Sequence, residues 1–216
     1  MTIYRLPASC YAIIFDMDNT LYSHPEYAQT QIDLPVKRLA GLQGKSFEKM
    51  SREIENYRKN WAAGHNGQTI SLANIFTAFG ISIQENIRWR EELLRPQQYL
   101  SRDEQLYDAL KQLSLRFALA VVTNNPVSVA VQTLSVLGVG ELFCGIVGLD
   151  TCGVSKPHEA PFAAAAGLCK TAPENCVSVG DRYDIDIALP LELGMGGILV
   201  NGVEDVYKLP ELFGKN

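Results

Sequence analysis

With 216 residues, the chain is long enough for one ordinary domain, or for a core domain carrying a smaller insertion. Hydrophobic residues make up 47% and charged residues 20%, a balance that excludes disorder and allows a sizeable core. The 24 acidic residues outnumber the 19 basic ones and leave a net charge of -5. That lacks the basic footprint of a protein that binds nucleic-acid polymer, although a small phosphorylated ligand needs only one or two local cations. No apolar run approaches the roughly 20 residues needed to span a bilayer. The first one, Tyr11–Phe15, runs directly into a charged residue with no cleavage pattern behind it. A cytoplasmic protein without membrane association is expected.

In chain order, Tyr11–Phe15 reads as a short buried strand. From residue 23 to 100 strand signals nearly vanish. Phe47, Met50, Ile54, Tyr57 and Trp61 recur at helical steps up to Gly64, and Leu72, Ile75, Phe76 and Phe79 do so up to Gly80. Ser82-Ile83-Gln84-Glu85 has the form of a capping box opening a helix with Ile83, Ile87 and Leu94 on its apolar side. A second capping box, Ser101-Arg102-Asp103-Glu104, precedes a stripe of Leu106, Leu110 and Leu113. Phe117–Val122 is the next strand. Asn125 before Pro126 predicts an N-cap, with Val127, Val131, Leu134 and Leu137 as the stripe and Gly138 as the stop. Further strands are predicted at Phe143–Leu149, Cys176–Val179 and Ile198–Val200. The five cysteines form no C-x-x-C pair, and several lie in apolar runs where they read as small buried side chains.

Strand alternating with helix predicts an open parallel α/β sheet, a Rossmann-like core. The core comprises residues 1–22 and 101–216, with an all-helical insertion at 23–100 directly after the first strand.

Ligands of such sheets bind at the carboxyl ends of the strands, so polar residues there carry information. The first strand ends in Asp16-Met17-Asp18-Asn19-Thr20 and the second in Thr123-Asn124-Asn125. Ser155-Lys156-Pro157 follows the third, and Gly180-Asp181-Arg182-Tyr183-Asp184-Ile185-Asp186 ends the fourth. Singly, each has an ordinary reading: a helix cap, a turn hydroxyl, a solvated lysine. Four consecutive strand ends supplying different parts of one reaction are not explained by capping.

Those parts suit phosphoryl transfer. A carboxylate attacks phosphorus and splits hydrolysis into two displacements. Crowded acidic strand ends need a hard, oxygen-ligated cation, for which Mg²⁺ is suited. Thr123, the Asn124 amide and Lys156 are candidates to hold the phosphoryl oxygens. Asp18, two residues past Asp16, is placed to protonate the leaving oxygen and then to activate water.

Asp16-Met17-Asp18-Asn19-Thr20-Leu21 resembles the first motif of the haloacid dehalogenase-like (HAD) hydrolase superfamily. Thr123-Asn124 resembles its second motif, Lys156-Pro157 its third, and Gly180-Asp181 with Asp186 its fourth. The resemblance implies Asp16 as nucleophile and metal ligand, and Asp18 as general acid/base whose backbone carbonyl also meets Mg²⁺. It further implies Thr123 and Lys156 as phosphate binders, Asp181 as a metal ligand, and Asp186 as an outer or water-mediated metal partner. The helical insertion resembles the superfamily's mobile cap. Glu159 stands where the third motif often has a second proline.

A phosphatase acting on a small phosphomonoester is the expectation. A phosphomutase would use the same core. A 2-haloacid dehalogenase would leave Asp18, Asp181 and Asp186 idle, and the alternatives from other classes are a phospho-accepting receiver or a non-catalytic scaffold. Asn19-Thr20-Leu21-Tyr22, with Tyr57, Trp61 and Gly64, is also similar to HAD-like pyrimidine nucleotidases, so a nucleoside monophosphate is the leading candidate, with sugar phosphates and phosphoglycolate-like acids close behind. The loop Gly64-His65-Asn66-Gly67 is expected to face the active site. Oligomeric state is not legible.

Overall fold

In the computed structural model, which describes residues 1–214, the apolar runs form a six-stranded sheet ordered β1-β6-β5-β2-β3-β4. Its strands are β1 (Thr2–Arg5), β2 (Ala12–Phe15), β3 (Ala118–Val122), β4 (Gly145–Val147), β5 (Cys176–Gly180) and β6 (Gly196–Leu199). β2 to β6 pair in parallel, while β1 joins the β6 edge antiparallel. β1 was not predicted: its four residues are all exposed, so it carries no apolar pattern. Two predicted strands end earlier than expected. Leu149 opens a one-turn helix, α7 (Leu149–Cys152), and Val200 lies beyond β6.

β2 lies at the centre because it is apolar on both faces. Ile13 and Phe15 join the core on one side of the sheet, and Ala12 and Ile14 the core on the other. Each fully buried Ile or Phe contributes roughly 1.5–3 kcal/mol. One core is covered by α5 (Glu104–Ser114) and α6 (Val127–Leu137), together with two short C-terminal helices, α10 (Val203–Val206) and α11 (Leu209–Gly214). The other is covered by α8 (Glu159–Leu168) and α9 (Ala188–Glu192).

Two predicted helix starts move. Asp103, not Ser101, caps α5 by accepting from the Leu106 amide. Pro126, not Asn125, occupies the cap position of α6. The stripe of α6 is also rotated, with Ala130, Leu134 and Leu137 buried and Val131 half exposed.

Between β2 and β3 come α1 (Pro25–Leu42), α2 (Phe47–Gly64), α3 (Leu72–Ala78) and α4 (Ile83–Leu93). They enclose their own apolar cluster, in which Val36, Leu39, Met50, Ile54, Ile75, Phe76 and Trp89 meet. α1 was not predicted, because Pro35 stands in its interior and Gln31 interrupts its buried stripe. α4 is capped by Ser82 as expected, but it buries Asn86, Trp89 and Arg90 in place of Ile83 and Ile87. The last two positions of the 101–216 segment lie outside the described residues, among which no helix is long and apolar enough to cross a membrane.

Register sets the site. Phe15 pairs with Val121 on one side and Val179 on the other, so the residues that follow three strands emerge level with one another. The chain runs from β2 outward in one direction to β3 and β4, and in the other through β5 to β6. The switch between directions falls at the carboxyl ends of β2 and β5, where open sheets bind ligands. Gly180 permits the turn after β5, since a Cβ there would lie 2.4 Å from the Cβ of Asp186. We expect Gly180→Ala to lower stability by about 1–3 kcal/mol, as overpacking does. An unchanged urea midpoint would show that Asp186 yields freely.

Candidate active site

Asp16 follows β2 and is buried; its Oδ1 accepts from Lys156 Nζ at 2.5 Å and its Oδ2 from Thr20 Oγ1 at 3.3 Å. Lys156, only 1% exposed, donates also to Asp186 Oδ1 at 2.7 Å. Burial works against this ammonium, but the Asp16 and Asp186 carboxylates outweigh it and hold its pKa above the ordinary value. Asp186 sits in one π-helical turn (Tyr183–Ile187) that rolls its carboxylate back over the end of β5. There the Arg182 amide donates to its Oδ2 at 3.1 Å.

Asp181 completes the group. One carboxylate oxygen from each of Asp16, Asp181 and Asp186 lies within 4.8 Å of the others. Burial, then the Asp16 and Asp186 charges, push the Asp181 carboxyl up to about 7. Three carboxylates thus face one ammonium, with the Arg182 guanidinium 3.9 Å from Asp181 at the rim. A purely hard-oxygen donor set that one lysine does not neutralise suits a hard divalent cation.

Asp18 belongs to an adjoining half-site. Its Oδ1 accepts from the Tyr22 hydroxyl and from Gln31 Nε2 at 2.9 Å, and its Oδ2 from Asn125 Nδ2 at 2.9 Å and Thr123 Oγ1 at 3.4 Å. Burial, then the Asp18 charge, push the Tyr22 phenol well above its usual range, so it stays a donor. The Asp18 carboxylate is therefore outside the acidic trio. Asn19, in the left-handed region at φ 58°, turns the chain directly after Asp18. Asparagine tolerates that conformation better than most residues.

Asn124 does not point its amide at the cluster. Its Oδ1 accepts from the Lys156 amide at 2.7 Å and its Nδ2 donates to the Lys156 carbonyl at 3.2 Å, which ties the lysine loop to β3. Asn125, expected as a cap, instead uses its side chain in the site. Besides Asp18 it donates to Gln31 Oε1 at 2.8 Å and accepts from Arg90 Nη1 at 2.8 Å.

Both half-sites open into a cleft of about 300 Å³ between the sheet edge and the inserted helices. Its walls include Asp18, Asn19 and Asp181 from the core and Gln31, Arg58, Ser71 and Arg90 from the helices. Further links close the helices on the core. Thr69 donates from both its amide (2.7 Å) and its hydroxyl to Asp184, and the Ser71 and Ser155 hydroxyls meet at 2.8 Å. The loop at Gly64–Gly67 is not part of the cleft wall. His65 stacks on Trp61 and is exposed, and residues 70–73 take the place expected for that loop. Tyr57 packs edge-on against Phe79, away from the cleft. Gln31 and the side-chain role of Asn125 in the site were not anticipated. The one available signal was Asn125, adjacent to Thr123-Asn124.

A family profile described as haloacid dehalogenase-like hydrolase matches residues 11–193. The chain is 29% identical over 199 residues to a glyceraldehyde 3-phosphate phosphatase of Methanothermobacter thermautotrophicus, covering 88% of this chain and 85% of that protein. Over 90 residues it is 38% identical to a phosphoglycolate phosphatase of Colwellia psychrerythraea, covering 39% and 40% of the two chains. In fold it is similar to a HAD phosphatase from Thermococcus onnurineus, with a TM-score of 0.62 at 17% identity over 94% of this chain and 98% of that one. With the family profile spanning the β2 strand end through the acidic trio, the chain belongs to the haloacid dehalogenase-like hydrolases.

Proposed function

We propose that this hydrolase is a Mg²⁺-dependent phosphatase of a small phosphomonoester, working through an aspartyl-phosphate on Asp16. The observation that carries the reading is the convergence of Asp16, Lys156, Asp181 and Asp186 in one buried cluster, with Asp18 beside it at the cleft. Relatives named as phosphatases support it. Asp18 and the acidic trio would have no task in breaking a carbon–halogen bond.

In the proposed reaction an Asp16 oxygen attacks phosphorus as the ester P–O bond breaks, and Asp18 gives its proton to the leaving oxygen. Asp18 then takes a proton from water, whose oxygen attacks phosphorus and returns Asp16 and inorganic phosphate. Thr123 and the third N–H of Lys156 hold phosphoryl oxygens, while Asn124 fixes the lysine loop. Mg²⁺ on Asp16, Asp181 and Asp186, when bound, offsets the crowded carboxylates and draws charge from the phosphoryl group. The helical cap closes over the site and keeps bulk water from the first step.

The substrate is small. The cleft wall carries no aromatic side chain among the described residues, hence no platform on which a nucleobase would stack. This favours short phosphate esters of the kind named for the relatives, phosphoglycolate and glyceraldehyde 3-phosphate, over nucleotides.

Asp16→Asn is expected to keep cooperative unfolding while phosphate release falls by about 10⁴-fold or more, since the amide has the same shape and is a poor nucleophile. Turnover near wild type would remove Asp16 from the chemistry. Saturating Mg²⁺ is expected to raise the melting temperature by about 5–10 °C, reversed by EDTA. The same rise in Asp181→Asn would place the cation elsewhere.

A further inference from the structure

α4 points into the cleft a cation, Arg90, that makes no direct ion pair among the described residues. Arg90 is 7% exposed, and its guanidinium makes one hydrogen bond, from Nη1 to Asn125 Oδ1. Its Nε is buried with no partner. Among the described residues no carboxylate lies within ion-pair distance of it, in a chain whose acids outnumber its bases. A guanidinium has five N–H donors, and here one of them, on Nε, is buried and unpaired, which is costly unless a ligand meets it. Arg58, half-buried on α2 and likewise without a carboxylate, lines the same wall. The cleft is thus acidic at the sheet edge and cationic under the cap.

We infer that Arg90 recognises a carboxylate on the substrate, set close to the ester oxygen, so that the preferred substrates are phosphate esters of short hydroxy acids. This rests on the phosphatase reading above. The spacing follows from the hydrogen bonds: Arg90 is joined through one amide, Asn125, to Asp18, the group that must face the leaving oxygen. A substrate atom that reaches Arg90 is therefore only a short distance from the ester bond. Guanidinium and carboxylate match as paired donors and acceptors, which a neutral aldehyde or alkyl group does not offer.

The test is calorimetric binding to Asp16→Asn protein with Mg²⁺, using 2-phosphoglycolate and ethyl phosphate, which differ in the carboxylate. We expect the acid to bind about 30-fold more tightly, in keeping with a charge-assisted contact. Adding Arg90→Met should bring the two ligands within about threefold, and Arg90→Lys, which keeps the charge but not the paired donors, should retain part of the preference. A purely structural Arg90 would weaken both ligands equally, and equal affinities, or a preference that survives Arg90→Met, would overturn the inference. Should Arg90→Met fail to fold, Arg90→Lys and the comparison of ligands on Asp16→Asn alone still decide. Phosphate release by the wild type separates the two readings. Hydrolysis of both esters at equal kcat/KM keeps the phosphatase and overturns the anion site. No hydrolysis, with the binding preference intact, overturns the phosphatase and leaves the anion site.

Discussion

The ammonium of Lys156 is carried into a place almost free of water and held between Asp16 and Asp186. Burying such a group is unfavourable, and the two carboxylates make it tolerable because each places an oxygen directly against it. The arrangement depends on three separate stretches of chain: the end of β2, the loop after β4, and the π-helical turn after β5. Each must be correct to within an ångström or so, because removing one partner of a buried ion pair costs about 3–5 kcal/mol. The rest of the local architecture serves that fit. Asn124 pins the lysine loop from both sides, Ser178 donates to the Asp186 carbonyl at 2.7 Å, and Gly180 leaves room for the aspartate's own Cβ.

The two half-sites divide the electrostatic work. Around Asp16 carboxylates outnumber cations, so the group is poised for a positively charged guest. Around Asp18 the partners are neutral amides and hydroxyls, and the charge opposite them belongs to the cap. Asn125 is the joint: it touches Asp18, Gln31 and Arg90 at once. A movement of the cap that withdraws Gln31 and Arg90 therefore changes what surrounds Asp18, while the ion pairs of Lys156 lie wholly within the core and are indifferent to it.

Much of this was legible in the sequence, for a physical reason. Strands covered on both faces must be apolar throughout, so β2, β3 and β5 stood out, and the polar residues that follow them had no packing reason to be there. β1 was hidden because an exposed edge strand needs no apolar pattern. α1 was hidden because one of its inward residues is Gln31, which serves the site and not the core. Asn125-Pro126 carries a genuine capping signal, yet the asparagine amide bonds to Asp18 and the proline takes the cap position without a side-chain bond. Arg90 sits among charged neighbours on a helix that reads as solvated. Its burial follows from how α4 lies against the core, which periodicity does not encode.

The central position of β2 also has a consequence for biosynthesis. Its partners are distant in sequence: Ala12 is aligned with Ala118 on one side and Cys176 on the other. On a translating ribosome the second side waits on the order of ten seconds for β5 to emerge. During that interval the inserted helices, whose contacts are local, have what they need to assemble, since low-separation contacts form fastest. The strand bearing Ile13, Ile14 and Phe15 does not. A nascent chain that ends short of residue 176 shows an apolar strand with an open edge, the kind of surface that pairs with other chains and that chaperones shield.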